Sequence, residues 1–255
     1  MPEYSSAPER DATTGAAQQP PAAPRHGPAP EPYAGIEILE FIAEARNYNA
    51  WLADLVRRGL GGGVTLDFGA GNGTFARWFR SEGMELSCIE PDETLARRLR
   101  SDGFKVAASL DALPANSSSS AYSLNVLEHI EDDVSALRAL HRVLRSQGRL
   151  VLYVPAFPIL FSSFDARFGH HRRYRGDILR ARVEVAGFRV LECRYVDCLG
   201  FFAALAFKLV DRGAGDVSRF SIIAYDRVVF PLSRRLDVLF GRWLGKNLYL
   251  VAEKG

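Results

Sequence analysis

The sequence predicts an α/β fold, a doubly wound sheet of seven strands that is mostly parallel. Three observations carry that expectation. Short apolar runs alternate with helical stretches from residue 64 onward, the pattern of successive βαβ units. A glycine-rich turn, Asp67-Phe-Gly-Ala-Gly-Asn-Gly73, sits between the first apolar run and the next helical stretch, where tight backbone turns build ligand sites. With 255 residues, 47% of them hydrophobic and 24% charged, the chain can bury one substantial core but not two of similar size.

Each element follows in order. Residues 1–33 are rich in Pro, Ala, Ser, Gln and Gly with almost no large apolar side chains, so burial cannot offset their ordering entropy and a disordered tail is expected. The acidic Glu3, Glu9 and Asp11, without an apolar core, exclude a secretory signal there. Ile36, Ile38, Leu39, Phe41, Ile42, Trp51, Leu52 and Leu55 recur mostly at helical spacing, until Gly59-Leu-Gly-Gly-Gly63 breaks the pattern. The domain of residues 34–255 then reads as strand 64–68, helix 74–81, strand 84–89, helix 92–101 and strand 104–110. The serine run 117–120 reads as a loop. Strand 121–126, helix 134–144, strand 150–154, helix 177–186, strand 188–195 and strand 248–253 complete the order, with a hydrophobic and basic helical insertion at 199–246.

Charge and cysteine usage narrow the partners. A net charge of +2 is too small for the clustered basic footprint of a nucleic-acid binder, so none is expected. Cys88, Cys193 and Cys198 lack metal-ligand spacing and suit a reducing cytoplasm as free thiols. The longest uncharged apolar run, 198–207, is half of the roughly 20 residues that span a bilayer.

Asp67 precedes a turn whose glycines stand at 69, 71 and 73, one residue short of the dinucleotide spacing at the third glycine. A carboxylate there repels a pyrophosphate and attracts a cationic amino-acid group. Glu90 ends the second strand, where an acid accepts hydrogen bonds from both hydroxyls of a ribose. The alternative is a helix-capping Asp67 and a solvated Glu90.

With these motifs in place, residues 66–190 resemble the class I S-adenosylmethionine-dependent methyltransferases. The resemblance rests on Leu-Asp-Phe-Gly-Ala-Gly-Asn-Gly-Thr at 66–74, Cys-Ile-Glu-Pro-Asp at 88–92 and Asn-Val-Leu-Glu-His-Ile-Glu-Asp at 125–132. It implies a Rossmann-like methyltransferase fold with the last strand antiparallel, and S-adenosyl-L-methionine as cofactor. It also implies that Asp67, Gly69, Ala70 and Gly71 hold the methionine end, with Phe68 and Gly73 in the same turn, and that Glu90, beside Pro91, holds the ribose. Asn125 and Val126 would lie beside the sulfur. Many relatives carry an Asp that contacts adenine where this chain has Ser109, followed by Leu110; a serine hydroxyl can also accept that bond.

Methyl transfer is an in-line displacement that depends on alignment and desolvation, so a catalytic base is optional. His129 is a candidate base, against the reading that Glu128 and His129 cap the helix at 134. The segment 164–175 concentrates further candidate bases, His170, His171 and Tyr174, with Arg172 and Arg173 as an anion clamp for the acceptor. Its Gly-His-His-Arg-Arg-Tyr run resembles a segment that some methyltransferases carry here; the alternative is an exposed basic turn. No metal-ligand spacing is visible. The insertion's aromatic stripes, interleaved with Arg219, Arg227, Arg234, Arg235, Arg242 and Lys246, suit a membrane surface, a lid or a homodimer face. The expected activity is methylation of a small-molecule acceptor, hydrophobic or lipid-linked and anionic; the alternative is a non-catalytic cofactor-binding scaffold or regulator.

Overall fold

The computed structural model describes residues 44–210 and 218–255. The expected tail, the start of the leading helical segment and part of the insertion lie outside them.

The chain enters through helix α1 (Arg46–Gly59) and then alternates: β1 (Thr65–Phe68), α2 (Thr74–Ser81), β2 (Leu86–Ile89), α3 (Glu93–Ser101), β3 (Lys105–Ala107) and β4 (Ser118–Leu124). α4 (Asp133–Val143), β5 (Leu144–Pro155), α5 (Ser163–Arg167), α6 (Gly176–Val185) and β6 (Phe188–Val196) follow. The insertion contributes α7 (Cys198–Val210), α8 (Arg219–Ala224), a π-helical turn Tyr225–Val229 and α9 (Phe230–Phe240), and β7 (Asn247–Lys254) closes the sheet. Strand order is β3-β2-β1-β4-β5-β7-β6. β1 pairs in parallel with both β2 and β4, while β7 runs antiparallel between β5 and β6, as expected.

This order positions the site. Successive strands build outward from β1 to one side and then from β4 to the other, so the crevice at the carboxyl ends of β1 and β4 is the topological switch point where open α/β sheets take ligands. Apolar side chains cover both faces. Leu66, Ala121, Leu150 and Leu152 pack with α4 and α6 on one side, and Tyr122, Val151 and Tyr153 pack with α1 and α2 on the other. The insertion is anchored by carboxylates that satisfy orphan helix N–H groups. Asp226 accepts from the backbone N–H groups of Asn47 and Tyr48 at the start of α1 (3.1 and 2.8 Å), and Asp237 accepts from those of Asp197 and Cys198 at the start of α7 (both 2.8 Å).

Several boundaries differ from the sequence expectation. The serine run is not a loop: Ser118, Ser119 and Ser120 open β4 and are buried, because the backbone of Ser119 pairs with Val64 and the Ser120 hydroxyl accepts from Gly61. Polar residues inside a strand hid that start. β5 begins at Leu144 rather than near 150, with an irregular register opposite Ser118 and Ser120 that its exposed polar residues concealed. The strand expected at 104–110 ends at Ala107, since Leu110 enters a 3-10 turn whose carbonyl accepts from the Arg142 guanidinium (2.7 Å). β4 stops at Leu124 because Asn125 adopts a left-handed φ of 54°.

Candidate active site

The donor half of the crevice is one turn after β1. Gly69, Gly71 and Gly73 have φ values of 82°, 55° and 78°, in the left-handed region that glycine enters without a Cβ penalty. A Cβ on Gly69 would lie 2.4 Å from the Val126 side chain, so this glycine lets the β1 turn and the β4 end approach each other. The N–H groups of Gly69 and Ala70 both donate to the Ile89 carbonyl at 3.0 Å, fixing the turn over β2. Glu90 ties the two strand ends: one carboxylate oxygen accepts from Gly71 N–H at 2.7 Å and the other from Asp92 N–H at 3.0 Å. Each oxygen keeps further lone-pair capacity for a ligand hydroxyl. Asp92 caps α3 by accepting from Leu95 N–H at 2.9 Å.

Asp67 is buried at the end of β1 and accepts the Tyr122 hydroxyl at 2.7 Å. Burial pushes its carboxyl up to about 7, against the Tyr122 hydrogen bond that lowers it. Burial likewise raises Glu90. Tyr122 belongs to no motif; its signal in the sequence is a lone large polar aromatic in a strand of small residues. Pro91, Ser109 and Asn125 are exposed, and Leu110 is buried.

The opposite half is assembled from distant segments. A 3-10 turn, Leu127–His129, follows β4, and the His171 N–H donates to the Glu128 carbonyl at 2.7 Å, drawing the 164–175 segment onto it. Asp165 organises that segment. Fully buried in α5, it completes a capping box with Ser162, accepts from His170 Nδ1 at 2.8 Å and takes Arg173 at 2.8 and 3.0 Å. Burial alone would raise its carboxyl, yet the His170 and Arg173 hydrogen bonds hold it at about 2. An ionised aspartate only accepts, so His170 carries its proton on Nδ1 and turns Nε2 outward from Asp165.

The expected acceptor residues divide. His129 and His170 come together, ring centroids 4.6 Å apart and edge to face. Burial and the neighbouring His170 lower His129 to about 4, so it is neutral near pH 7 and a weak base. Glu128 and His129 do not cap the following helix; Asp132 does, accepting from Ser135 N–H at 3.0 Å. Tyr174 is buried, donating to Asp133 at 2.7 Å, and burial raises its hydroxyl far above the ordinary range, which removes it as a base. Arg173 is ion-paired with Asp165, and Arg172 with Asp133 (3.0 Å) while donating to the Glu131 carbonyl (2.8 Å), so the expected anion clamp is engaged within the protein. His171 is exposed. Sequence spacing also hid a cluster that the fold creates: ligand atoms of Glu128, His129 and His170 lie within 4.8 Å of one another.

An open α/β sheet with a glycine cradle and two acids at its switch point defines a nucleoside-cofactor site. Residues 66–152 match the family described as methyltransferase domain. The fold is similar to that of a SAM-dependent methyltransferase from Archaeoglobus fulgidus, with 19% identity, coverage of 88% of this chain and 100% of that one, and a TM-score of 0.60. A Thermotoga maritima protein described as a possible histamine N-methyltransferase has 18% identity, coverage of 86% and 95%, and a TM-score of 0.60. Geranyl diphosphate C-methyltransferase from Streptomyces coelicolor A3(2), in complex with Mg2+, geranyl diphosphate and S-adenosyl-L-homocysteine, has 17% identity, coverage of 89% and 86%, and a TM-score of 0.58. No curated protein sequence matches. The methyltransferase-domain match and these structural likenesses identify the fold as that of the class I S-adenosylmethionine-dependent methyltransferases, and the cofactor they support is S-adenosylmethionine. The residues present fit that group: a cradle that a Cβ would fill, a buried carboxylate beside it for a cation, and a second acid for paired hydroxyls.

Proposed function

We propose that this methyltransferase acts on a small-molecule acceptor that is hydrophobic or lipid-linked and anionic, and that the two halves of the crevice divide the labour. When bound, S-adenosylmethionine supplies an electrophilic methyl group on a sulfonium centre. Asp67 holds its ammonium, with the backbone of Phe68, Gly69, Ala70, Gly71 and Gly73 accommodating the methionine end. Glu90 and Pro91 take the ribose, Ser109 and Leu110 flank the adenine, and Asn125 and Val126 shield the sulfur. Because the chemistry is a displacement, these residues act by alignment and exclusion of water. His170, with Nδ1 fixed on Asp165 and Nε2 turned away from it, is the group placed to hold a proton from an acceptor that must lose one.

The observation behind the acceptor class is the insertion's surface. Phe202, Phe220, Val228, Val238, Leu239 and Trp243 are all more than half exposed, and Arg227, Arg234, Arg235 and Arg242 are exposed among them. Apolar side chains interleaved with arginines suit an interface with anionic lipid. Among the described residues no helix is long and apolar enough to cross a membrane. Incubation with isotope-labelled methyl donor and lipid extracts, followed by mass spectrometry, should yield a labelled anionic lipid-soluble product. A label appearing only in water-soluble neutral compounds contradicts the acceptor class while leaving the activity intact.

A further inference from the structure

We propose that Glu128, His129 and His170 form a binding site for a divalent transition-metal ion of the Zn2+ class, beside the end of β4. The site goes beyond methyl transfer, since it needs no bound donor.

An unmet valence marks the place. Glu128 is fully buried and neither carboxylate oxygen has a hydrogen-bond partner. Either protonation state leaves a deficit: an ionised carboxylate is a buried charge without a hydrogen bond, and a protonated one is a donor without an acceptor. The nearby Arg173 charge favours the ionised form, but its hydrogen bonds go to Asp165 and none reaches Glu128. A cation between Glu128 and the two imidazoles would.

The imidazoles are arranged as metal ligands are. A ligating histidine usually fixes its second nitrogen on a carboxylate or backbone carbonyl, which sets tautomer and ring orientation. His170 does so with Asp165 at 2.8 Å, and the His129 ring is hydrogen-bonded to the backbone of Phe168 and Gly169. The ligand atoms of all three residues lie within 4.8 Å of one another, so bonds of about 2 Å to one ion need only modest side-chain rotation. Two imidazoles and one carboxylate suit borderline divalent ions such as Zn2+ and Co2+ rather than Mg2+ or Ca2+, which prefer oxygen alone. Three protein donors leave coordination positions open to water or an acceptor oxygen.

The test uses the full chain, stripped with chelator and without methyl donor, titrated with Zn2+ and with Co2+. One equivalent of each should bind, with visible Co2+ ligand-field bands and a raised Tm. Glu128→Gln and His170→Gln should each weaken binding by at least tenfold while His141→Gln, remote from the cluster, binds as wild type does. The wild-type titration stands whether or not a variant folds. Failure of wild type to take up either ion, or equal affinity in folded E128Q and H170Q, overturns the site; neither result bears on donor binding.

Discussion

The two sides of the crevice are made in different ways. The donor side is a single stretch from β1 to the end of β2, in which each contact joins residues on adjacent parallel strands: Gly71 to Glu90, Ala70 to Ile89. The facing side draws Glu128 and His129 from the turn after β4, and Asp165 and His170 from α5 and its following turn. A site on neighbouring strands of one sheet tolerates little variation, because every residue in it also sets the register. A site brought together from remote segments can be rebuilt by changing one loop. That is how a common fold keeps its donor and varies its acceptor.

If that contrast is right, the acceptor side should depend on one organiser more than the donor side does on any residue. Asp165→Ala leaves Arg173 as an uncompensated buried charge and frees His170, and breaking such a pair costs about 3–5 kcal/mol. Chemical denaturation should show a loss of that order. A loss near zero would mean that the 164–175 segment folds without it. Gly69→Ala is next. The left-handed backbone costs a non-glycine residue about 1–2 kcal/mol, and the Cβ at 2.4 Å from Val126 forces the β1 turn and the β4 end apart. Weaker donor binding should therefore exceed the loss in Tm, and unchanged affinity would break the cradle.

The smallest expected effect is one of pH. With its folded value raised to about 7 by burial, Asp67 is largely protonated at pH 6 and ionised at pH 8. A cationic ammonium needs the carboxylate, so donor affinity should rise across that range and Asp67→Asn should flatten the profile. Stability of the free protein moves the other way. Between the ordinary aspartate value near 4 and about 7 the folded state holds a proton that the unfolded chain has released, so Asp67's contribution is lost as pH rises. A donor affinity that is flat in wild type would contradict the charge assignment.

The contrast also explains what the sequence made legible. The glycine turn, Asp67 and Glu90 are contiguous with strands whose apolar runs are plain, and helix Thr74–Ser81 agrees to the residue. Asn125 and Val126, expected as the last residues of a strand, lie just past its end at Leu124. What stayed hidden depends on long-range partners. Ser118–Ser120 look like a loop until Val64 and Gly61 are placed beside them. Arg172 and Arg173 look like an anion clamp until Asp133 and Asp165 claim them. His129 and His170 lie far apart in sequence and meet only when the Glu128 carbonyl accepts the His171 N–H.

In the proposed arrangement the donor is held by Asp67 and Glu90. That arrangement is tested most directly by titration calorimetry of S-adenosylmethionine into wild type, Asp67→Ala and Glu90→Ala. Each substitution removes charge-assisted hydrogen bonds of about 1.5–3 kcal/mol, so each should raise Kd by roughly tenfold to a hundredfold. Wild-type affinity in both folded variants would contradict the account.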